Sequence, residues 1–406
     1  MSHISPSRVR WVGAALSVSV AVLLSPVPAH AVPVVYPTAL SDEFYSEPTN
    51  LQDLQPGDVI SARDVPAPAG FVDTSAMQLA FRSTNSQGNP IVAVTTVLSP
   101  TTGAIGRPLF SFQHIVNALG LECAPSQALY TSNPNLVIRE APGLNVVLQK
   151  GWSVAIPDHL GPTSAYGAAR LGGQITLDGI RAAKNQAALG LADSPVGMAG
   201  YSGGGMATAM AAALAPSYAP EINLVGSAYG GAPLNIGKMA HALGSEPHPA
   251  FGLAMAAALG LEREYPDQMP VTGQLNESGR ALRDRLANAC TNDILAAGAG
   301  HSVAAVSTSA ALLDSPQVQA VFAANSVESI DTVPNAPVFE WHAEQDALIP
   351  VESITSTMRR YCDAGVPVQS KSVWSPDHLS AAVVGLPNAV QFLEDRFSGI
   401  APTHSC

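Results

Sequence analysis

Gly200-Tyr201-Ser202-Gly203-Gly204 sets a serine among small residues, the Gly-x-Ser-x-Gly arrangement that presents a hydroxyl as a nucleophile on a sharp turn. Its flanks suit that turn. Pro195 to Ala199 reads as a short buried strand, and Met206 to Ala215 is an alanine-rich run of strong helix propensity. A side chain at 200 or 204 would obstruct the helix as it passes the strand. Gly203, at the helix N-terminus, keeps an N–H free to hold a negative oxygen forming on a substrate. The chemistry on offer is attack on a carbonyl. The competing reading, a glycine-rich loop opening an ordinary helix, does not require a strand before it.

A serine needs a base, and the base needs a group to orient it. In chains that use this turn both lie downstream, carboxylate first and histidine second. Pro337 to His342 reads as a late core strand with Ala343 to Pro350 as the loop at its end, which makes Asp346 the orienting carboxylate and Glu344 its rival. Val368 to Trp374 is the next strand. His378 is expected in the loop after it, ahead of a helix from about Pro387 to Phe397 with proline in its first turn. Asp377 reads as a solvated turn residue.

The remaining titratable groups get plainer readings. His342, Glu344 and Asp346 would share one face of an extended strand, a conceivable metal arrangement, but the loop begins too early for it. No metal or organic cofactor is expected. His241, His248 and His301 read as surface or packing residues, and His159, just past the strand Trp152 to Ile156, as support for the site.

The elements that must position these groups alternate along the chain. Met77 to Arg82 and Ile91 to Leu98 read as a hairpin at a sheet edge. Strands follow at Pro108 to Gln113, Trp152 to Ile156, Val196 to Ala199, Ile222 to Tyr229, Pro337 to His342 and Val368 to Trp374, with helical stretches between most of them. This is the pattern of a mainly parallel α/β sheet covered on both faces, with ligands at the carboxyl ends of its strands. One connection is far too long: about a hundred residues separate Tyr229 from Pro337, where a handful is usual. Its Phe251 to Leu259, Ala281 to Ala289 and Ser302 to Leu313 are apolar and helical in character. Residues 231–333 are therefore expected to form a helical cap, inserted between a first core segment, 32–230, and a second, 334–406.

Residues 1–31 have the form of a cleaved secretory leader, with Arg8 and Arg10, an apolar run from Trp11 to Leu24, and Ala29-His30-Ala31 as the cleavage signal. The run is short for a membrane span. The net charge of −12 disfavours a nucleic-acid partner. Cys123, Cys290, Cys362 and Cys406 fit two disulfides in an oxidising compartment, with three pairings open.

The chain also resembles the secretory lipase family, the group typified by Candida antarctica lipase A within the α/β-hydrolase superfamily. Beyond the Ser202 turn, the resemblance rests on Leu54-Gln55-Pro56-Gly57-Asp58-Val59-Ile60, on Arg82 to Pro90, on Cys123-Ala124-Pro125-Ser126 and on Leu177-Asp178-Gly179-Ile180-Arg181-Ala182-Ala183, with Asp42-Glu43-Phe44-Tyr45 adding a little. It implies an α/β-hydrolase fold with a cap, and a triad of Ser202, Asp346 and His378 acting on esters of acylglycerol type. It implies a Cys123–Cys290 disulfide, which leaves Cys362 with Cys406. It also puts the second oxyanion donor, beside Gly203, in the loop after Gln113, with His114 first and Asn117 as rival. Relatives place glycine after this histidine, and here Ile115 stands instead.

The expected activity is that of a secreted lipase or esterase working through an acyl-enzyme on a small-molecule or lipid ester, with transient contact with lipid interfaces. Two alternatives use the same scaffold. An acyltransferase would share the triad and differ only in its acceptor, which product analysis distinguishes. A catalytically silent binding protein would not react with a fluorophosphonate.

Overall fold

Val154-Ala155-Ile156 and Val196-Gly197-Met198-Ala199 are apolar on both faces, as strands must be when helices cover both sides of a sheet. In the computed structural model, which describes residues 1–3 and 33–406, they lie at the centre of a nine-stranded sheet. The strands are β1 (Val59–Val65), β2 (Thr74–Thr84), β3 (Pro90–Pro100), β4 (Leu109–Gln113), β5 (Ser153–Pro157), β6 (Val196–Tyr201), β7 (Leu224–Gly230), β8 (Val338–Ala343) and β9 (Val368–Val373). Their order is β1-β2-β3-β5-β4-β6-β7-β8-β9. The first three are antiparallel, β3 pairs antiparallel with β5, and all pairings from β5 to β9 are parallel.

Helices α1 (Pro125–Ala128) and α2 (Ala141–Gln149) join β4 to β5, and α3 (Ala169–Asn185) joins β5 to β6. Helix α4 (Gly203–Tyr218) follows β6, α11 (Val351–Asp363) joins β8 to β9, and α12 (His378–Phe397) closes the chain. Alternate strand residues feed two cores. Leu109, Ala155, Met198 and Val338 pack with α3, α4 and α11, while Phe110, Val154, Ala199 and Phe339 pack with α2 and α12. Between β7 and β8 run α5 (Ile236–Gly244), α6 (Phe251–Glu264), α7 (Glu277–Leu286), α8 (Thr291–Gly298), α9 (Val303–Val306) and α10 (Pro316–Ala324). Residues 33–406 cohere as one compact unit, these helices included.

Several details differ from the sequence reading. The β2–β3 hairpin is not at the edge, because β1 pairs outside it through Ala62↔Leu79 and Asp64↔Met77. Arg63 and Asp64 hid that strand, whose place comes from backbone pairing and not from apolar alternation. Strand β7 begins at Leu224, and Ser302 to Leu313 supplies only the one-turn α9 before turning. The final helix starts at His378, with Pro387 inside it. Asp377 caps it, accepting from the Ser380 N–H at 2.8 Å, and Gly385 lies so close to Trp341 that a Cβ there would sit 2.0 Å from the indole. A cap and a packed face carry the helix through a proline that would otherwise read as its start. The expected leader falls almost wholly on residues 4–32, outside the described residues; among these, no helix is long and apolar enough to cross a membrane.

Candidate active site

Ser202 has φ 53° and ψ −121°, a conformation that only glycine adopts freely. A Cβ on Gly200 would lie 2.6 Å from the Gly204 carbonyl, and one on Gly204 would lie 2.0 Å from the Gln113 carbonyl. Strand β6 therefore meets α4 with no room for side chains on either side of the serine. The Ser202 N–H donates to the Gly230 carbonyl at 2.8 Å and its C=O accepts the first helical bond, from Met206, at 2.9 Å. The strained residue is thus anchored to β7 and α4 at once.

His378 Nε2 lies 2.9 Å from Ser202 Oγ, and its Nδ1 lies 2.6 Å from Asp346 Oδ2. The histidine is the first residue of α12 and is buried. Its own carbonyl accepts from the Tyr201 hydroxyl at 2.5 Å, and the two rings lie 5.1 Å apart. Tyr201 is a support that sequence reading missed, although it occupies the variable position of the motif itself. The Asp346 side chain is wholly buried, and its Oδ1 accepts from the Leu348 and Ile349 N–H groups at 2.9 and 3.0 Å. Burial pushes this carboxyl up, but the histidine bond and charge and the two backbone donors outweigh burial and hold it below the ordinary aspartate value. It therefore stays ionised. Glu344, its rival, is exposed two residues earlier. Asp377 is at the surface as the helix cap.

His342 Nδ1 sits 3.0 Å from both oxygens of buried Glu340, and among the described residues no three His, Cys, Asp or Glu side chains gather as metal ligands would. His241 is exposed, and His248 and His301 pair by backbone below Phe251. His159 is buried and its imidazole is pushed down to about 3 by burial, then by His114, so it is neutral. Its neighbour Asp158 receives the Ser126 N–H and hydroxyl at 2.8 and 2.5 Å, and burial nevertheless pushes it up to about 7.

The loop after β4 sets both candidate residues, His114 and Asn117, against the turn. His114 has its carbonyl oxygen 2.9 Å from where a Gly204 Cβ would stand, while its ring Nδ1 lies 2.9 Å from Glu140 Oε2 in a largely buried pair. Asn117 lies against the turn as well, with its side-chain carbonyl oxygen, Oδ1, 2.3 Å from where a Gly203 Cβ would stand. Its amide nitrogen has no acceptor among the described residues. Gly203 opens α4, so its N–H has no helical partner either.

A family model for secretory lipases matches residues 136–405. The chain belongs to the secretory lipase family. It is 31% identical over 384 residues to lipase A of Moesziomyces aphidis, across 91% of this chain and 82% of that one. It is also 34% identical over 370 residues to a probable inactive lipase of Mycobacterium tuberculosis, across 88% and 82%. The X-ray structure of Candida antarctica lipase A in its closed state superposes with a TM-score of 0.85 at 30% identity, covering 93% of this chain and 89% of that one. The fold is accordingly that of the α/β-hydrolases, and family membership makes the chain a carboxylic ester hydrolase of the lipase and esterase class. In this secretory lipase, Cys123 is bonded to Cys290 and Cys362 to Cys406.

Proposed function

We propose that the chain is an exported serine hydrolase that cleaves esters of acylglycerols and related lipids through an acyl-enzyme. The observation that carries this reading is the unbroken contact from Ser202 Oγ through the His378 ring to the buried Asp346 carboxylate. His378 Nε2 takes the proton as Ser202 Oγ attacks the ester carbonyl, and Asp346 stabilises the imidazolium. The Gly203 N–H and the Asn117 amide bind the oxyanion. The alcohol leaves with the proton from His378, and water repeats the sequence to release the acid. A fluorophosphonate should label the protein at the peptide bearing Ser202, with loss of activity on p-nitrophenyl butyrate in step with labelling. An unlabelled protein, or label elsewhere, contradicts the mechanism.

An apolar cavity supports the choice of a lipid acyl group. It reaches Met206, one turn beyond Ser202, and is lined on its other side by Ala254, Ala257 and Ala258 of α6 and by Ile236 and Met239 of α5. The inserted helices thus act as a cap that selects the acyl chain. Phe251 and Met255 are buried at the wall of the space, whereas Ala254 and Ala257 line it and are only half-buried. Ala254→Phe should lower kcat/KM on p-nitrophenyl palmitate about a hundredfold and on the acetate less than threefold, because one side chain in an apolar pocket discriminates by about 1–3 kcal/mol. Equal loss at every chain length, with a lower Tm, would make the cavity mere packing.

Trp374, Leu379 and Val383 flank His378 and are 83%, 51% and 74% exposed, the last two a turn apart on α12. On this reading they touch the substrate aggregate. Burying about 60 Å² of indole there is worth about 1.5 kcal/mol, roughly tenfold in adsorption. Trp374→Ser should cost that factor on emulsified tributyrin and nothing on soluble p-nitrophenyl acetate. Equal losses on both would place the indole's role elsewhere.

A further inference from the structure

The loop that carries Asn117 is held by the inserted helices. Thr291, the first residue of α8, sets its hydroxyl between the two backbone polar groups of Asn117. Its Oγ1 accepts from the Asn117 N–H at 3.3 Å and donates to the Asn117 carbonyl at 3.2 Å. One hydroxyl thereby satisfies both main-chain groups of a buried residue, the task a neighbouring strand performs elsewhere. The attachment continues along the loop. The Leu119 N–H donates to the Ala289 carbonyl at 2.9 Å, and Arg263 of α6 donates to the Leu119 and Ala287 carbonyls at 2.7 and 2.8 Å. A Cβ on Gly120 would lie 2.3 Å from the Asn288 carbonyl, so the two segments run in backbone contact, and the Cys123–Cys290 bond closes the seam.

The geometry points to Thr291 as a positioning residue for the oxyanion donor: its hydroxyl fixes the Asn117 backbone, and with it the placement of the Asn117 side chain beside Gly203. This rests on Asn117 being the donor. A donor stabilises the oxyanion only while it is held in place before charge develops, and a displacement of about 1 Å can cost up to a hundredfold. The Leu119, Gly120 and Cys123 attachments remain when the hydroxyl is removed, so the loop stays docked and only its Asn117 end is released. The insert then contributes to the rate of the chemical step as well as to the choice of acyl chain.

The test compares Thr291→Val, Thr291→Ser, Asn117→Ala and the double variant Asn117→Ala with Thr291→Val in steady-state hydrolysis of soluble p-nitrophenyl butyrate. Asn117→Ala should lower kcat about 10²-fold. Thr291→Val should lower kcat about tenfold with KM within about twofold of wild type, and Thr291→Ser should restore at least about half of the rate. In the Asn117→Ala background the valine should add less than about twofold, because the group it aims is already gone. Wild-type kcat in Thr291→Val beside a crippled Asn117→Ala would overturn the positioning role and leave Asn117 as donor. Wild-type kcat in Asn117→Ala would overturn the donor itself, and with it the role given to Thr291. A valine effect that persists in full in the Asn117→Ala background would show that Thr291 acts by another route. Should the valine crowd the loop and impair folding, Thr291→Ala gives the same readout.

Discussion

Ser202→Ala is expected to lower kcat by on the order of 10⁶, the cost of removing the nucleophile from a unit whose members act together. Among the described residues the hydroxyl makes one hydrogen bond, to His378 Nε2, and the backbone of residue 202 is anchored to Gly230 and Met206. The variant should therefore stay folded, with a Tm within a few degrees of wild type. Ser202→Gly offers a second check on the strained turn. A residue held at φ 53° stores about 1–3 kcal/mol that glycine does not, so this inactive variant should be more stable than Ser202→Ala. A tenth of the wild-type rate in Ser202→Ala, on protein free of contaminating esterase, would remove Ser202 from the mechanism.

Asp346→Asn should lower kcat roughly 10⁴-fold with little change in KM. The direction follows from which oxygen does what. Oδ1 accepts from the Leu348 and Ile349 N–H groups, so an asparagine keeps its carbonyl there and turns its NH₂ toward His378 Nδ1. The imidazole must then accept at Nδ1 and carry its proton on Nε2, where it faces Ser202 Oγ as a donor and cannot act as base. Glu344→Gln, which alters an exposed carboxylate two residues away, should change kcat by less than about threefold, in the range of ordinary surface substitutions. The reverse ranking would hand the orienting role to Glu344. Asp346→Ala separates the two parts of the effect: it removes the wrong donor along with the right acceptor, and should recover part of the loss.

The parts of the site that could be read from the chain are those whose cause is local. Gly200 and Gly204 are required by atoms within four residues of the serine or by the strand beside it, and strand, turn and helix follow one another in sequence there. The order of serine, carboxylate and histidine follows from parallel strands ending on the same side, which brings Ser202, Asp346 and His378 to one edge from positions far apart. Alternating apolar strands and helices were enough to expect the α/β sheet.

What depended on packing could not be read that way. Strand β1 holds its place by backbone pairing, so Arg63 and Asp64 conceal it. Helix α12 begins at His378 because Asp377 caps it and Gly385 fits against Trp341, neither of which Pro387 announces. His114 and Asn117 are three residues apart in one loop and both are polar, so their types alone do not say which faces Ser202. The His114 ring lies 2.9 Å from Glu140, and Thr291, 174 positions from Asn117, holds the Asn117 backbone by its hydroxyl. The sequence by itself determined the nucleophilic turn, the order of its partners and the sheet that aligns them, because short-range sterics and strand polarity suffice for these. Only the tertiary structure decided that the loop after β4 is tied to the inserted helices, since that depends on a contact between the sheet's loop and an insert remote in the chain.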